Sequence, residues 1–262
     1  MKRRRFLQLA GTAAAGAAVR ASSFAALTQD PEIFIRIGGR SLGAEAIRVR
    51  TGEQVRFRFV HGGGSGEVHL HLPGHRFTVV ALDGNPVPTR ATVDVLSLAA
   101  GERIHAIVEM SKPGNWILGS LDDAERAGGR SVQVAYDRQN GPAQWQPPAA
   151  VDWSYARFSG IHRAVPPPPD QTIEMLFEKK PGGLHWIIDG QSCPNVDHLS
   201  FPPGRRYRLR MMNATDRACP VHLPRHNVAL SRVNQVPVSG IIKETVRLER
   251  FNVIEADVME RS

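Results

Sequence analysis

Alternating apolar and polar residues predict β-strands in two stretches of the chain. Residues 53–59 and 206–211 both carry an apolar side chain at every second position. A period of two is typical of a strand that buries one face against a core. Turns containing glycine or proline return at short intervals, and only residues 122–127 resemble a helix. The pattern predicts an all-β protein, folded as a sandwich or a barrel.

A motif of the first half of the chain recurs in the second half. The sequence His-Leu-Pro-Gly-His at 71–75 returns as His-Leu-Pro-Arg-His at 222–226, an offset of 151 residues. At the same offset, Pro86-Val87 returns as Pro237-Val238. Several matches in one order at one spacing indicate a structural module that is used twice.

The second module lacks the counterpart of one hairpin of the first. In the first module, a strand at 103–110 is followed by a Pro-Gly turn and a further strand at 115–119. The second module reaches its equivalent strand at 252–258 and stops at Ser262. We therefore expect unpaired backbone groups along one sheet edge, which favour pairing with another chain or aggregation.

The N-terminal residues have the features of an export signal. Arg3-Arg4-Arg5-Phe6-Leu7 fits the twin-arginine pattern, and an apolar stretch rich in alanine and glycine follows. Small residues near position 25 resemble a signal-peptidase site. We predict that residues 1–25 form a twin-arginine signal peptide and that the mature protein is periplasmic. In that compartment Cys193 and Cys219 could oxidise to a disulfide.

Composition and charge remove several classes of protein. No apolar run approaches the ~20 residues that span a bilayer, which argues against an integral membrane protein. Two cysteines are too few for a disulfide scaffold or a four-cysteine zinc site. The net formal charge is +8, but the five basic residues among the first twenty leave +3 for the rest. Without a basic surface interleaved with aromatic residues, we expect no nucleic-acid partner.

Three segments in order resemble the multicopper oxidases, the laccase-like family built from consecutive cupredoxin domains. Residues 72–87 and 94–103 are similar to the second domain of the family, and residues 207–226 to the start of the copper motif in its third domain. The resemblance implies two cupredoxin-like Greek-key β-sandwiches, the second incomplete at its C-terminus. It also implies copper as cofactor, a small-molecule reductant and dioxygen as oxidant.

The resemblance divides the chain into two domains and a linker. The first cupredoxin-like domain is expected at residues 26–140 and the truncated second at residues 171–262. A proline-rich linker at residues 141–170 separates them, and its composition predicts an extended, stiff spacer.

The chain departs from the family's His-Pro-x-His-Leu-His ligand run at two of its three histidine positions. Cys219 stands at the first, His222 keeps the second, and Pro224 replaces the third. By the resemblance, His222 and Cys219 are the candidate metal ligands, and we assign no catalytic residue. We expect a chain that is catalytically degenerate on its own and relies on another cupredoxin domain or chain for further copper ligands. The alternatives are a non-catalytic periplasmic binding or scaffold protein and the product of a broken gene.

Two smaller histidine groups are further candidates. His69 and His71 share one strand face and a turn could return His75, a geometry suited to Cu(II) or Zn(II). The alternative is that these are solvated histidines at a strand end. Cys219 and His222 together with His226 could hold a soft metal, or Cys219 is a buried thiol or half of a disulfide.

Overall fold

The computed structural model describes residues 32–37, 45–62, 66–161, 167–179, 186–192 and 199–259. The predicted signal peptide and Cys193 lie outside these ranges. Within them the chain is nearly all β, as the sequence predicts. None of the helices in the described ranges combines the length and the hydropathy that crossing a bilayer requires.

The first β-sandwich consists of two five-stranded sheets. Sheet A has the strand order β1-β3-β8-β5-β6 and sheet B the order β2-β10-β9-β4-β7. A one-turn helix, α1 (Asp123–Ala127), connects β9 and β10 at the predicted place, and Asp122 caps it by accepting a hydrogen bond from the Glu125 amide. The strands are β1 (Glu32–Ile37), β2 (Ile47–Val49), β3 (Gln54–His61), β4 (Glu67–His71), β5 (Phe77–Leu82), β6 (Asn85–Val93), β7 (Val95–Ala99), β8 (Arg103–Glu109), β9 (Asn115–Ser120) and β10 (Ser131–Tyr136).

The second β-sandwich is unequal. Sheet C has seven strands in the order β13-β12-β11-β14-β19-β16-β17, whereas sheet D has the two strands β15 and β18 among the described residues. Its strands are β11 (Gln171–Lys179), β12 (Trp186–Ile188), β13 (Gln191–Ser192), β14 (Tyr207–Asn213), β15 (Cys219–His222), β16 (Val228–Val233), β17 (Val236–Lys243), β18 (Thr245–Leu248) and β19 (Val253–Val258).

The alternating stretches form the strands on which each core is built. Inward residues of β3 and β14 are buried and the residues between them are partly exposed, as a period of two requires. In the first core the ring of Phe59 lies 5.7 Å from that of Phe57 and 5.8 Å from that of Phe77, edge-on in the second case. The two predicted strands are confirmed.

The repeat is visible in backbone detail. β5 and β6 pair with a register shift between Val79 and Ala81, and β16 and β17 pair with the same shift between Leu230 and Arg232. The tight turns also agree: the amide of His75 donates to the carbonyl of Leu72 at 3.1 Å, and that of His226 to the carbonyl of Leu223 at 3.2 Å. The same local sequence therefore folds in the same way in both sandwiches.

The two modules differ in their smaller sheets. β4 pairs with β7 on one side and with β9 on the other. Its counterpart β15 pairs with β18 and with no other strand of the described residues. This agrees with the incomplete second sandwich that the sequence predicts. The boundaries of the two domains stay predictions.

The segment between the sandwiches is packed, which differs from the extended spacer expected from its prolines. A 3₁₀ helix at Tyr155–Phe158 buries the side chains of Tyr155 and Phe158. Beside it, Gly240 of β17 has a φ of +74°, and a Cβ there would lie 2.6 Å from Cγ of Pro88 in β6. Only glycine combines that backbone angle with so close an approach. The segment and the two facing strands therefore form one interdomain contact.

Candidate functional site

His71 and His222 occupy equivalent strand ends, at β4 and β15. Nδ1 of His71 donates to the carbonyl oxygen of Asp94 at 2.8 Å, and Nδ1 of His222 donates to that of Glu244 at 3.2 Å. Nδ1 of His222 also lies 3.1 Å from Oγ1 of Thr245. A carbonyl oxygen can only accept, so Nδ1 carries a proton in both rings, and in the neutral imidazole the lone pair is on Nε2. This is the arrangement in which an imidazole is oriented for a metal.

The two imidazoles differ in their surroundings. His71 is 6% exposed, the ring of Trp145 packs edge-on at 5.8 Å, and the backbone of Gln146 is a further hydrogen-bond partner. Burial lowers the pKa of His71. His222 is exposed, because no residue equivalent to Trp145 covers it in the described part of the second sandwich. Of this pair, His222 is the one that a metal in solution can reach.

Cys219 and His222 do not lie together. They are three residues apart on β15, so one points into the core and the other outwards; Cys219 is 3% exposed. Nδ1 of His226 donates to the carbonyl oxygen of Pro224 at 3.0 Å, and its ring packs on Phe201. The assignment of Cys219 and His222 as metal ligands stays a prediction. The disulfide to Cys193 also stays open, since Cys193 lies outside the described residues.

His69, His71 and His75 bind separate partners rather than a common point. Nδ1 of His69 lies 2.8 Å from Oγ of Ser97. His75 is buried, with Nδ1 on the carbonyl oxygen of Pro73 at 2.9 Å and Nε2 on the hydroxyl of Tyr136 at 2.5 Å. Within the ranges that the structure describes, no three or more histidine, cysteine, aspartate or glutamate residues form a group that could hold a metal ion. Those residues alone do not fit a copper centre.

The most completely buried charges lie between the sandwiches. Nζ of Lys243, from β17, is 3.0 Å from Oδ2 of Asp83 and 2.8 Å from Oε1 of Glu102, and all three side chains are fully buried. Asp83 and Glu102 belong to the first sandwich and Lys243 to the second. We call these three residues the ion seam.

Backbone amides complete the ion seam. Oδ1 of Asp83 accepts from the amide of Arg103 at 2.9 Å, and Oδ2 from the amides of Glu244 and Thr245 at 2.9 and 3.1 Å. Burial alone would raise the pKa of Asp83, but Lys243 and these amides outweigh it and lower that pKa. Burial would likewise lower the pKa of Lys243, but the charges of Glu102 and Asp83 raise it. Asp83 and Lys243 are therefore both charged at neutral pH.

A second layer of polar residues extends the ion seam towards solvent. The hydroxyl of Tyr155 donates to Glu102 and accepts from the backbone amide of Arg247 at 3.0 Å. Burial, and then the charge of Glu102, raise the pKa of Tyr155 well above its usual value. The guanidinium of Arg247, 2% exposed, forms ion pairs with Glu67 of the first sandwich and with Glu249.

Sequence reasoning missed the ion seam. Asp83 has the positive φ of a turn residue, 49°, but its carboxylate is also a buried interdomain ligand for Lys243. The one available signal was periodicity, since Lys243 falls at an inward position two residues after buried Ile241. A charge at such a position requires a buried partner, and nothing local identifies which residue supplies it.

The chain is similar in sequence and in fold to known multicopper oxidases. The family model described as multicopper oxidase matches residues 17–142. The multicopper oxidase MmcO of Mycobacterium tuberculosis is 24% identical over 220 residues, which cover 81% of this chain and 42% of MmcO. The family-model match and this relative support a multicopper oxidase family protein. Copper is the cofactor that this family implies.

Solved multicopper oxidases share the fold of this chain. The laccase of Botrytis aclada superposes with a TM-score of 0.58 at 15% identity, over 84% of this chain and 48% of the laccase. The metallo-oxidase of Campylobacter jejuni gives 0.54 at 14% identity, over 88% and 50% of the two chains. The cupredoxin-type fold is thereby confirmed. The chain spans about half the length of these relatives.

Removing the amine of the ion seam should destabilise the folded protein strongly. Lys243→Met keeps the length of the side chain but leaves two buried carboxylates without a cation, which costs about 3–5 kcal/mol. The measurement is the free energy of unfolding in urea at pH 7. Lys112→Met, at an exposed lysine, is the control. Adding Glu102→Gln to Lys243→Met should recover part of the loss. If Lys243→Met were as stable as the control Lys112→Met, the ion seam would not hold the two sandwiches together.

Glu67 should contribute to acid stability. The hydrogen bond from His69, and then Arg247, lower its pKa from 4.5 to about 2, although burial opposes them. A carboxyl whose pKa is lower in the folded than in the unfolded protein stabilises the fold at pH values above its unfolded-state pKa. For Glu67 this contribution disappears as the pH falls from 4.5 to about 2. Glu67→Gln should therefore flatten the fall in melting temperature across that window, whereas Glu53→Gln should leave the fall intact. If the melting temperature of Glu67→Gln fell across this pH window as steeply as that of the unsubstituted protein, Glu67 would not be a source of acid stability.

Proposed function

We propose that this chain corresponds to the second and third cupredoxin domains of a multicopper oxidase and does not reduce dioxygen by itself. Its activity as an oxidase of a small-molecule reductant requires further copper ligands from another cupredoxin domain or chain. The observation that carries the proposal is His222, an exposed imidazole with an oriented Nε2 that belongs to no group of three or more metal-binding side chains among the described residues.

The open side of sheet D supports the same proposal. His222 is the last residue of β15, whose edge away from β18 has no partner strand in the described residues. The equivalent edge of β4 carries β9, which pairs with Leu70 and His71. A strand added beside β15 would bring its own side chains next to His222. Ligands on that strand could then share one ion with His222, as alternate residues of neighbouring strands do.

Copper titration of the mature chain tests the role of His222. We expect one weakly bound Cu(II) per chain by electron paramagnetic resonance, because the imidazole of His222 supplies a single protein ligand. His222→Ala should abolish that signal and His69→Ala should retain it. An oxygen electrode should record no dioxygen consumption when the copper-treated chain is mixed with a phenolic reductant.

Two outcomes would overturn the proposal. Stoichiometric copper with an intense blue thiolate absorption means that the chain holds a complete mononuclear site. Equal Cu(II) binding by His222→Ala and the unsubstituted chain excludes His222 as a ligand. A cooperatively folded chain that binds no copper in any variant favours the alternative, a non-catalytic periplasmic binding or scaffold protein.

Export to the periplasm through the twin-arginine route is part of the proposal, supported by Arg3, Arg4 and the apolar stretch that follows them. Changing both Arg3 and Arg4 to lysine should keep the unprocessed chain in the cytoplasm, because the route reads the arginine pair. Immunoblots of periplasmic and cytoplasmic fractions are the measurement, and Arg20→Lys, which keeps the pair, is the control. Processing of the double variant at the wild-type level would refute this route.

A further inference from the structure

A cleft of about 280 Å³ lies between the two sandwiches, on the solvent side of the ion seam. Strand residues of both sandwiches and the connecting segment contribute to its wall. Trp153 and Tyr155 come from that segment, His69 from the first sandwich, and Arg247, Glu249 and Asn252 from the second. A pocket of this size admits a ligand of a few to about fifteen non-hydrogen atoms.

The charges beside the cleft are unbalanced. Glu67 and Glu249 both form ion pairs with the single guanidinium of Arg247, just as Asp83 and Glu102 both contact Lys243. Four carboxylates thus face two permanent cations, and His69, whose Nε2 lies 3.5 Å from Oε1 of Glu67, adds a third only when it is protonated. The carboxylates of Glu67 and Glu249 are 32% and 40% exposed, whereas Arg247 is 2% exposed. The accessible charge is therefore negative.

Glu249 shares its cation, Arg247, with Glu67. Burial, and the charge of Glu67 after it, raise the pKa of Glu249 even though Arg247 acts in the opposite direction. Leaving a partly buried carboxylate under-compensated is costly, so a further cation in the cleft would be stabilised.

The cleft also offers a hydrogen-bond acceptor and an aromatic face. Asn252 is 2% exposed, and its Oδ1 has no hydrogen-bond partner within the described ranges. Nε of Arg247 likewise has none, but its charge is compensated by the two carboxylates on its other nitrogens. Trp153 is half-buried against Phe158 and contributes to the wall. Tryptophan is the side chain whose face attracts a cation most strongly.

We propose that this interdomain cleft binds a small organic cation with N–H donors, a primary ammonium group on an apolar chain. The ammonium group pairs with the carboxylate of Glu249 and donates towards Asn252, and the chain packs against Trp153. This binding site does not depend on copper or on the oxidase function proposed above.

Three probes of equal length test whether charge decides binding. n-Butylammonium chloride, n-butanol and sodium butyrate are titrated into the mature chain by isothermal calorimetry at low ionic strength. We expect the ammonium probe to bind at least tenfold more tightly than the other two. Nα-acetyl-lysine amide, whose ε-ammonium group is free, tests the source of the ligand. If it binds as tightly as butylammonium, the cleft takes a lysine side chain of a peptide; if only butylammonium binds, the cleft takes a free amine.

Variants locate the site. Glu249→Gln should weaken butylammonium binding about tenfold, and Asn252→Ala about fivefold, the effect of one hydrogen bond. Glu174→Gln, which removes a carboxylate paired with Arg210 away from the cleft, should bind like the unsubstituted chain. Asn252→Ala removes an oxygen that has no hydrogen-bond partner within the described ranges, so this variant should melt at the same temperature as the unsubstituted chain. It therefore keeps the test valid if Glu249→Gln is unstable.

The proposal is overturned by equal affinity for all three probes, by preference for butyrate, or by no detectable binding of butylammonium. Equal weakening in Glu249→Gln and Glu174→Gln would also overturn it, since general surface charge would then explain the attraction.

Discussion

A lysine without solvent contact, placed between two carboxylates, constrains the rest of this structure. Lys243 is fully buried, and its two ligands, Asp83 and Glu102, come from the other sandwich. Removing three charges from water is costly, and the arrangement is tolerable only because backbone amides of Arg103, Glu244 and Thr245 complete the hydrogen bonding. Any relative movement of the sandwiches would separate these groups. The ion seam therefore fixes the two modules in one orientation.

The segment that connects the sandwiches decides which of two equivalent histidines is available. The His-Leu-Pro-x-His motif folds alike at both places, and in each copy the first imidazole is oriented through Nδ1. In the first copy, Trp145 and Gln146 of the connecting segment cover His71. His222 remains exposed. One sequence motif thus has a structural role in one module and a candidate ligand role in the other, because of what lies beside it.

Much of the fold could be predicted from the sequence, since its signals are local. The alternation in β3 and β14 follows from a period of two, and the repeat of His71 in His222 follows from a constant offset. Period two also places Cys219 and His222 on opposite faces of β15, although the sequence interpretation paired them as candidate ligands. The ion seam was not predictable, because Lys243 and Glu102 are 141 residues apart and no local pattern relates them. A buried charge can be recognised from its position in a strand, but its partner depends on the tertiary structure.

The sequence separation of the interdomain contacts has a consequence for how the chain reaches this structure. Arg247 meets Glu67 across 180 positions, and Lys243 meets Glu102 across 141. Ordering so long a loop costs entropy before these contacts form, and topologies of high contact order fold slowly. Each sandwich can bring its own neighbouring strands together early, whereas docking of the two has to wait until both carry their charged residues in place. We therefore expect docking to be the late, slow stage of folding, during which Lys243 is still hydrated.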